Sequence, residues 1–249
     1  MAASDRSLSL LGLFTLERPE WTAEEVMSAL DVSIATAYRY LSALEEAGLI
    51  ATTRPGRYGL GPAIIQLDRQ LQLTDPLLGA ARPVMADLAT YAPPGSVVLL
   101  CRPVGDRVLC IHQATTIGTP PAVSYERGRP MPLLYGATSK ILLAYYAPRR
   151  LKTLFDTHAR EIERAGLGAT LEAFRAKMVE WRKAGSLVTR GEVDAGSVGI
   201  AAPILDPDRL GLGSVSYVVS NKTEDRTITR LAALAVAGAR EIEGSLRGG

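Results

Sequence analysis

The chain is poor in the residues that usually carry chemistry. Its 249 residues include two histidines, two cysteines and two tryptophans, and aromatic side chains make up 6%. His112 and His158 stand far apart, with no HExxH, no paired CxxC and no clustered His/Cys/Asp set, so a tetrahedral metal site is not expected. There is no G-x-S-x-G elbow, no Walker A lysine and no G-x-G-x-x-G ahead of a helix. Segments 136–140 and 196–199 come nearest and have the wrong spacing. The expectation is therefore no catalytic residue, no metal and no cofactor, in a protein that is not an enzyme. His112 reads as a packed strand histidine. His158 reads as the end of a helix, where a partly cationic imidazole suits the dipole.

Other absences bound the setting. No run of about 20 apolar residues exists, which excludes a helix crossing a membrane. The stretch LSLLGLFTL follows Asp5, lacks a small-residue cleavage site and runs into a capped helix. It reads as the first helix of a folded domain rather than a signal peptide, and a cytoplasmic location is expected. A net charge of +2 argues against a polyanion binder or a membrane-surface protein as a whole. Cys101 and Cys110 flank a Gly105-Asp106 hairpin signal in VVLLCRPVGDRVLCIHQ. That turn puts them opposite each other in a non-hydrogen-bonded pair, where side chains are closest. Cytoplasmic thiols normally stay reduced, so buried structural thiols are the plain reading and a redox pair the other.

What is present begins at residues 21–61: WTAEEVMSAL, DVS, IATAYRYLSALEEAGLIATT, RPGRYGLG. Thr22 followed by Glu25 is a capping box, and Val26, Ala29 and Leu30 form an apolar stripe. Ser33 can cap the next helix after a short turn. There Ala37, Tyr40, Leu41 and Leu44 share one face, opposite Ala35, Arg39, Ser42 and Glu46, with Tyr38 on the flank. Gly48 supplies a left-handed stop. Two short strands follow, with Arg54-Pro55-Gly56-Arg57 at their tip. This is the layout of a winged helix-turn-helix, which holds a helix in the major groove of double-stranded DNA. The expected DNA-facing residues are Ser33, Ala35, Thr36, Tyr38, Arg39 and Ser42, with Arg54 and Arg57 along phosphates. Charge gives no support: five arginines against eight acids leave residues 1–61 at −3. The expected consequence is weak non-specific binding and reliance on a dimer for enough phosphate contacts.

The remainder reads as α+β. A linker helix is expected over 63–74, then a helix opening at Asp75-Pro76. Strands are expected at 97–102 and 107–113, and a polar Pro/Gly-rich stretch spans 114–132. Helices begin near Ala137, at Pro148 and at Thr170, the last stopped by Gly185. Strands return at 186–190, 197–205 and 212–219, and a helix over 227–246 closes the chain. An antiparallel sheet with helices packed on it fits this order. Residues 136–140 enter a helix through small and hydroxyl side chains, whose free amides could cradle a carboxylate. The glycine-rich loop 189–199 suits a lid over that site.

Taken together, these segments resemble the IclR family of transcriptional regulators. ATAYRYLSALEEAGLI with RYGLG is similar to its recognition helix and wing, and RGRPMPLLYGATSKILLA, GEVDAGSVGIAAPILD and SVSYVVS are similar to later segments in the same order. The resemblance implies a winged helix-turn-helix over 1–62, a linker helix over 63–74 and a GAF-like effector-binding and oligomerisation domain over 75–249. It also implies a homodimer or tetramer on a palindromic operator, sensing a small carboxylate and controlling catabolic genes. By position, the effector site would use Leu133, Ala137, Thr138, Thr189, Ser197, Gly199, Ser216 and Val218. Three positions depart from the pattern: Leu134 replaces a histidine, Ser139 a glycine and Thr189 an acid. Losing that acid removes a like-charge repulsion against an anion, or an acceptor for a ligand hydroxyl. With Tyr125, Tyr135 and Tyr217 available to stack, an aromatic acid is the favoured effector. Two other classes stay open: an enzyme with an unseen acid/base pair, and a winged domain that binds protein.

Overall fold

The computed structural model describes residues 7–118 and 124–248. It divides into two compact units that meet in sequence at Asp75 and Pro76.

In the first unit the capping box forms as read. Thr22 Oγ1 accepts from Glu25 N, and Thr22 N donates to the Glu25 carboxylate at 2.8 Å, opening α1 (Ala23–Leu30). Ser33 Oγ accepts from Thr36 N to open α2 (Ile34–Glu46), and Gly48 follows that helix at φ +70°. Ala37, Tyr40, Leu41 and Leu44 are buried against Leu10, Trp21, Val26 and Ile50. Strands β1 (Ile50–Arg54) and β2 (Arg57–Leu60) form the hairpin. Trp21 extends it, exchanging both backbone hydrogen bonds with Tyr58. The stretch 8–16 gives less than the expected first helix. Its helical part closes in a 3-10 turn, Leu10–Leu13, and Phe14 is already extended. Leu10 of that turn is fully buried, and Leu11, Leu13 and Phe14 pack partly buried against the same core. Helix α3 (Ala63–Thr74) follows the wing at once and buries none of its residues in this chain.

The second unit is a six-stranded antiparallel sheet in the order β5-β4-β3-β8-β7-β6. The strands are β3 (Val97–Val104), β4 (Arg107–Thr115), β5 (Pro130–Pro132), β6 (Leu187–Arg190), β7 (Ser197–Leu205) and β8 (Gly211–Ser220). Helix α4 (Pro76–Thr90) comes first in the unit and α8 (Asp225–Gly248) last; between them lie α5 (Ala137–Leu143), α6 (Pro148–Arg164) and α7 (Leu171–Ala184). Alternation along the strands sends Val98, Leu100, Val215, Tyr217 and Val219 toward α4 and α8. Val97, Leu99, Cys101 and Val218 go to the other core, with α5, α6 and α7. Both faces are covered, which is why β3, β7 and β8 read as almost unbroken apolar runs. Cys101 and Cys110 are ladder partners, both buried and free, beside a bulge at Leu100/Cys101 that the sequence did not announce. Burial pushes the Cys101 thiol well above its ordinary value. His158 falls at a kink inside α6 rather than at its end.

Candidate DNA-binding face and effector cavity

On α2 the side chains of Ala35, Tyr38, Arg39 and Ser42 are exposed together, with Tyr38 half open to solvent at 50%. The Arg39 guanidinium lies 5.6 Å from the Tyr40 ring centroid and makes no ion pair among the described residues. Ser33 and Thr36 sit at the helix start with their hydroxyls 2.9 Å apart, so part of their capacity serves the cap itself. The wing arginines are less free than the sequence suggests. Arg54 donates through both Nε and Nη2 to Glu20, at 3.0 and 2.5 Å. Arg57 comes within 4.0 Å of Glu25, which also pairs with Arg18 at 2.9 Å. These partners hold the Glu20 carboxyl below its ordinary value, chiefly through Arg54, and Glu25 below its own, chiefly through the Thr22 amide. Glu45 is committed as well, accepting from Thr52 N and Thr52 Oγ1. Glu20 and Glu25 thus pair at the surface with the wing's own arginines and with Arg18, and the charge balance of the unit is unchanged.

In the second unit, Ala137, Thr138, Thr189, Ser197, Gly199 and Val218 line one cavity, six of the eight residues picked from sequence. Ser216 lies behind it, fully buried, and accepts a 2.9 Å hydrogen bond from Thr138 Oγ1. Leu133 does not reach the lining and belongs to the apolar core. The sequence missed Glu192, Val193 and Asp194 as individual lining residues, although the loop carrying them reads as a lid. Tyr125 lines the cavity too, with its hydroxyl donating to Tyr135 O at 3.0 Å and lying 2.7 Å from Ser139 Oγ. Burial raises its phenol well above the ordinary value. Tyr217 is a correction: it points to the opposite face, where its hydroxyl bonds Leu88 O, so it cannot stack on a ligand here.

The expected carboxylate cradle is filled from within. Gly136 N donates to Glu192 Oε2 at 3.0 Å, and Ala137 N to Thr189 Oγ1 at 3.0 Å. Lys140, only 6% exposed, holds both Glu192 oxygens at 2.7 and 2.6 Å. The lid is latched again where Ser124 N and Oγ bond the Asp194 carboxylate at 3.0 and 2.6 Å. Gly136 sits at φ +79°, and a Cβ there would meet Tyr125 Oη and Val193 Cγ2 at 2.9 Å, so only glycine admits this closure. The resulting cavity is about 30 Å³, room for a water or two and not for an aromatic ring.

A winged helix-turn-helix followed by an antiparallel-sheet domain with a small lidded cavity is the architecture of a DNA-binding regulator. A model of the bacterial transcriptional regulator IclR C-terminal domain matches residues 73–243, and one of the IclR helix-turn-helix domain matches residues 3–54. The chain belongs to the IclR family of transcriptional regulators. It is 25% identical over 228 residues to the HTH-type transcriptional regulator KipR of Bacillus subtilis, covering 89% of this chain and 88% of that one. An IclR regulator from Alicyclobacillus acidocaldarius superposes with a TM-score of 0.79 at 20% identity over 98% of each chain. An IclR homologue from Microbacterium hydrocarbonoxydans, solved in complex with 4-hydroxybenzoate, also reaches 0.79, at 18% identity over 100% of each chain. At these identities the two structures speak for the fold alone. Among the described residues no helix is long and apolar enough to cross a membrane.

Proposed function

We propose that the protein is a cytoplasmic, ligand-responsive regulator that binds a palindromic operator as a homo-oligomer and senses a small carboxylate, aromatic acids first among them, to control catabolic genes. One observation carries the sensing part of this reading: six of the positions implied by the family resemblance line a single small cavity, largely apolar with Thr138, Thr189 and Ser197 hydroxyls among its walls. The complex of the Microbacterium relative with 4-hydroxybenzoate supports the ligand class. Both acids in the lining are already engaged, Glu192 by Lys140 and Asp194 by Ser124, which softens their repulsion of an anion. A ring-bearing acid needs the 191–196 lid to lift, so binding is coupled to opening of the Lys140–Glu192 and Ser124–Asp194 contacts. The effector changes DNA affinity only as far as it prefers one lid state over the other.

For DNA, Ala35, Thr36, Tyr38, Arg39 and Ser42 face the bases, Ser33 serves the helix start, and Arg54 and Arg57 follow phosphates. Oligomerisation is supported by Ile64, Leu67 and Leu71, which share one face of α3 at spacings of three and four. Leu67 and Leu71 stand 48% and 59% exposed. Such a seam is complementary to a second copy of itself.

The test is fluorescence anisotropy on the chain's own upstream DNA against a shuffled duplex, followed by calorimetry with benzoates and short 2-oxo acids. Sequence-selective binding that a benzoate shifts supports the reading. Equal binding to both duplexes, or tight binding of a 2-oxo acid with none of benzoates, refutes the corresponding half.

A further inference from the structure

At the other end of β7 from the lidded cavity, two larger hollows adjoin. One, of about 310 Å³, is lined by Tyr145, Tyr146, Arg182, Arg209 and Leu210 among others. The second, of about 260 Å³, adds Lys183, Leu205, Val236 and Arg240. They share Tyr145, Arg182 and Arg209 and so form one cleft, approaching the size of ordinary small-molecule sites (about 300–1,000 Å³).

Its electrostatics are lopsided. The side chains of Arg182, Lys183, Arg209 and Arg240 make no ion pair or hydrogen bond among the described residues. The acids in the lining are Asp208 and Glu243, and Glu243 already accepts from Leu205 N at 2.8 Å and lies 3.9 Å from Arg247. By contrast, Arg54 pairs with Glu20, Lys140 with Glu192 and Lys152 with Asp156. The cleft therefore keeps a surplus of positive charge over an apolar floor of Ala202, Leu205, Val236 and Ala239.

Tyr146, 7% exposed, closes one side of the first hollow, with the Arg150 guanidinium 3.8 Å from its ring centroid. Arg209 holds a left-handed backbone at φ +64°, unusual for a residue with a long side chain. Its turn is fixed by Arg209 N to Asp206 O at 3.0 Å and Leu210 N to Asp206 Oδ1 at 2.7 Å. Burial raises the Tyr145 phenol, the Arg209 and Arg182 guanidiniums pull it back, and the Glu243 carboxylate raises it again.

We propose that this cleft is a second ligand site, separate from the lidded cavity, and that it takes a phosphate monoester on a short apolar body. Arg182 and Arg209 grip the phosphate, Arg240 and Lys183 add charge, and Leu205, Val236 and Ala239 receive the body. Guanidinium forks match the oxygens of a phosphate in pairs. A dianion answers the uncompensated charge better than a single carboxylate does.

Calorimetry of the full chain with phenyl phosphate, inorganic phosphate and benzoate tests it. Phenyl phosphate should bind one site per chain, at least tenfold tighter than inorganic phosphate. R182A/R209A should weaken it at least tenfold and Arg240→Ala severalfold, with operator binding in the absence of ligand unchanged. Equal affinity for phenyl and inorganic phosphate overturns the proposal, as does full binding by R182A/R209A. A shift in sedimentation of ligand-free R182A/R209A also overturns it, since the cleft is then an interface between copies.

Discussion

Arg39 carries the sharpest residue-scale expectation. It is exposed on the open face of α2 and has no carboxylate of its own, unlike Arg54, so it is free to make a two-bond contact with a guanine. Arg39→Ala should lose about 1–3 kcal/mol on the specific duplex and relax preference at one base position, read by anisotropy on substituted operators. A uniform loss on all sequences would make it a phosphate contact instead. His112 gives a pH expectation. Burial first, then the nearby Arg82 and Arg127 charges, hold its imidazole below the ordinary value. The unfolded chain then takes the proton more readily, so this contribution is full above about pH 6.5 and lost as pH falls through the depressed value. Thermal melts of His112→Gln should show a flatter decline between about pH 7 and 5 than the parent chain. At this scale the cap residues and the buried face of α2 were legible, because spacing alone selects a face, while most of the cavity lining came from the family resemblance and not from spacing. The internal partners were not legible. Nothing in TRGEVDAG says that Glu192 turns back onto Gly136 and Lys140, since that contact depends on how two distant segments meet.

At the scale of elements, the helices with strong start and stop signals appear where the sequence puts them. Thr170 caps α7, and Gly185 ends it in a left-handed conformation. The N-terminal stretch was overread because apolar residues at short spacing resemble a helix whether one turn or three are present. Helix α6 was underread. Its polar second half offers no apolar stripe, yet it continues past the His158 kink to Arg164. The linker helix makes the clearest test here. It buries nothing within the chain while exposing Leu67 and Leu71 on the same seam. L67D/L71D should shift the protein toward monomer in sedimentation velocity and weaken operator binding more than tenfold. Each recognition helix alone would remain folded, since no core residue of the first unit lies on α3.

For the whole molecule, the antiparallel sheet and its two helical layers follow from strand runs that are apolar on both faces. Their order across the sheet does not follow, because β3 pairs with β8 across more than half the unit. The closed cavity likewise emerges only from assembly: β6, β7, β8 and the start of α5 each bring a wall. A Glu192→Gln chain keeps the loop's size but weakens its grip on Lys140. It should bind a benzoate effector more tightly than the parent chain does, by severalfold in calorimetry, because less has to be broken on opening.

The carboxylate clasp on Arg54 bears on how the protein feels ionic strength. An arginine that reaches a phosphate from solution releases a cation condensed on the duplex, and each such exchange steepens the fall of affinity with salt. If Arg54 is drawn onto a phosphate it must first leave Glu20, and the carboxylate stays beside the duplex, so the pair brings no net positive charge to it. Arg54 should thus add contact and register to the complex while adding almost nothing to its salt sensitivity, and Glu20→Gln should steepen the salt dependence by about one ion.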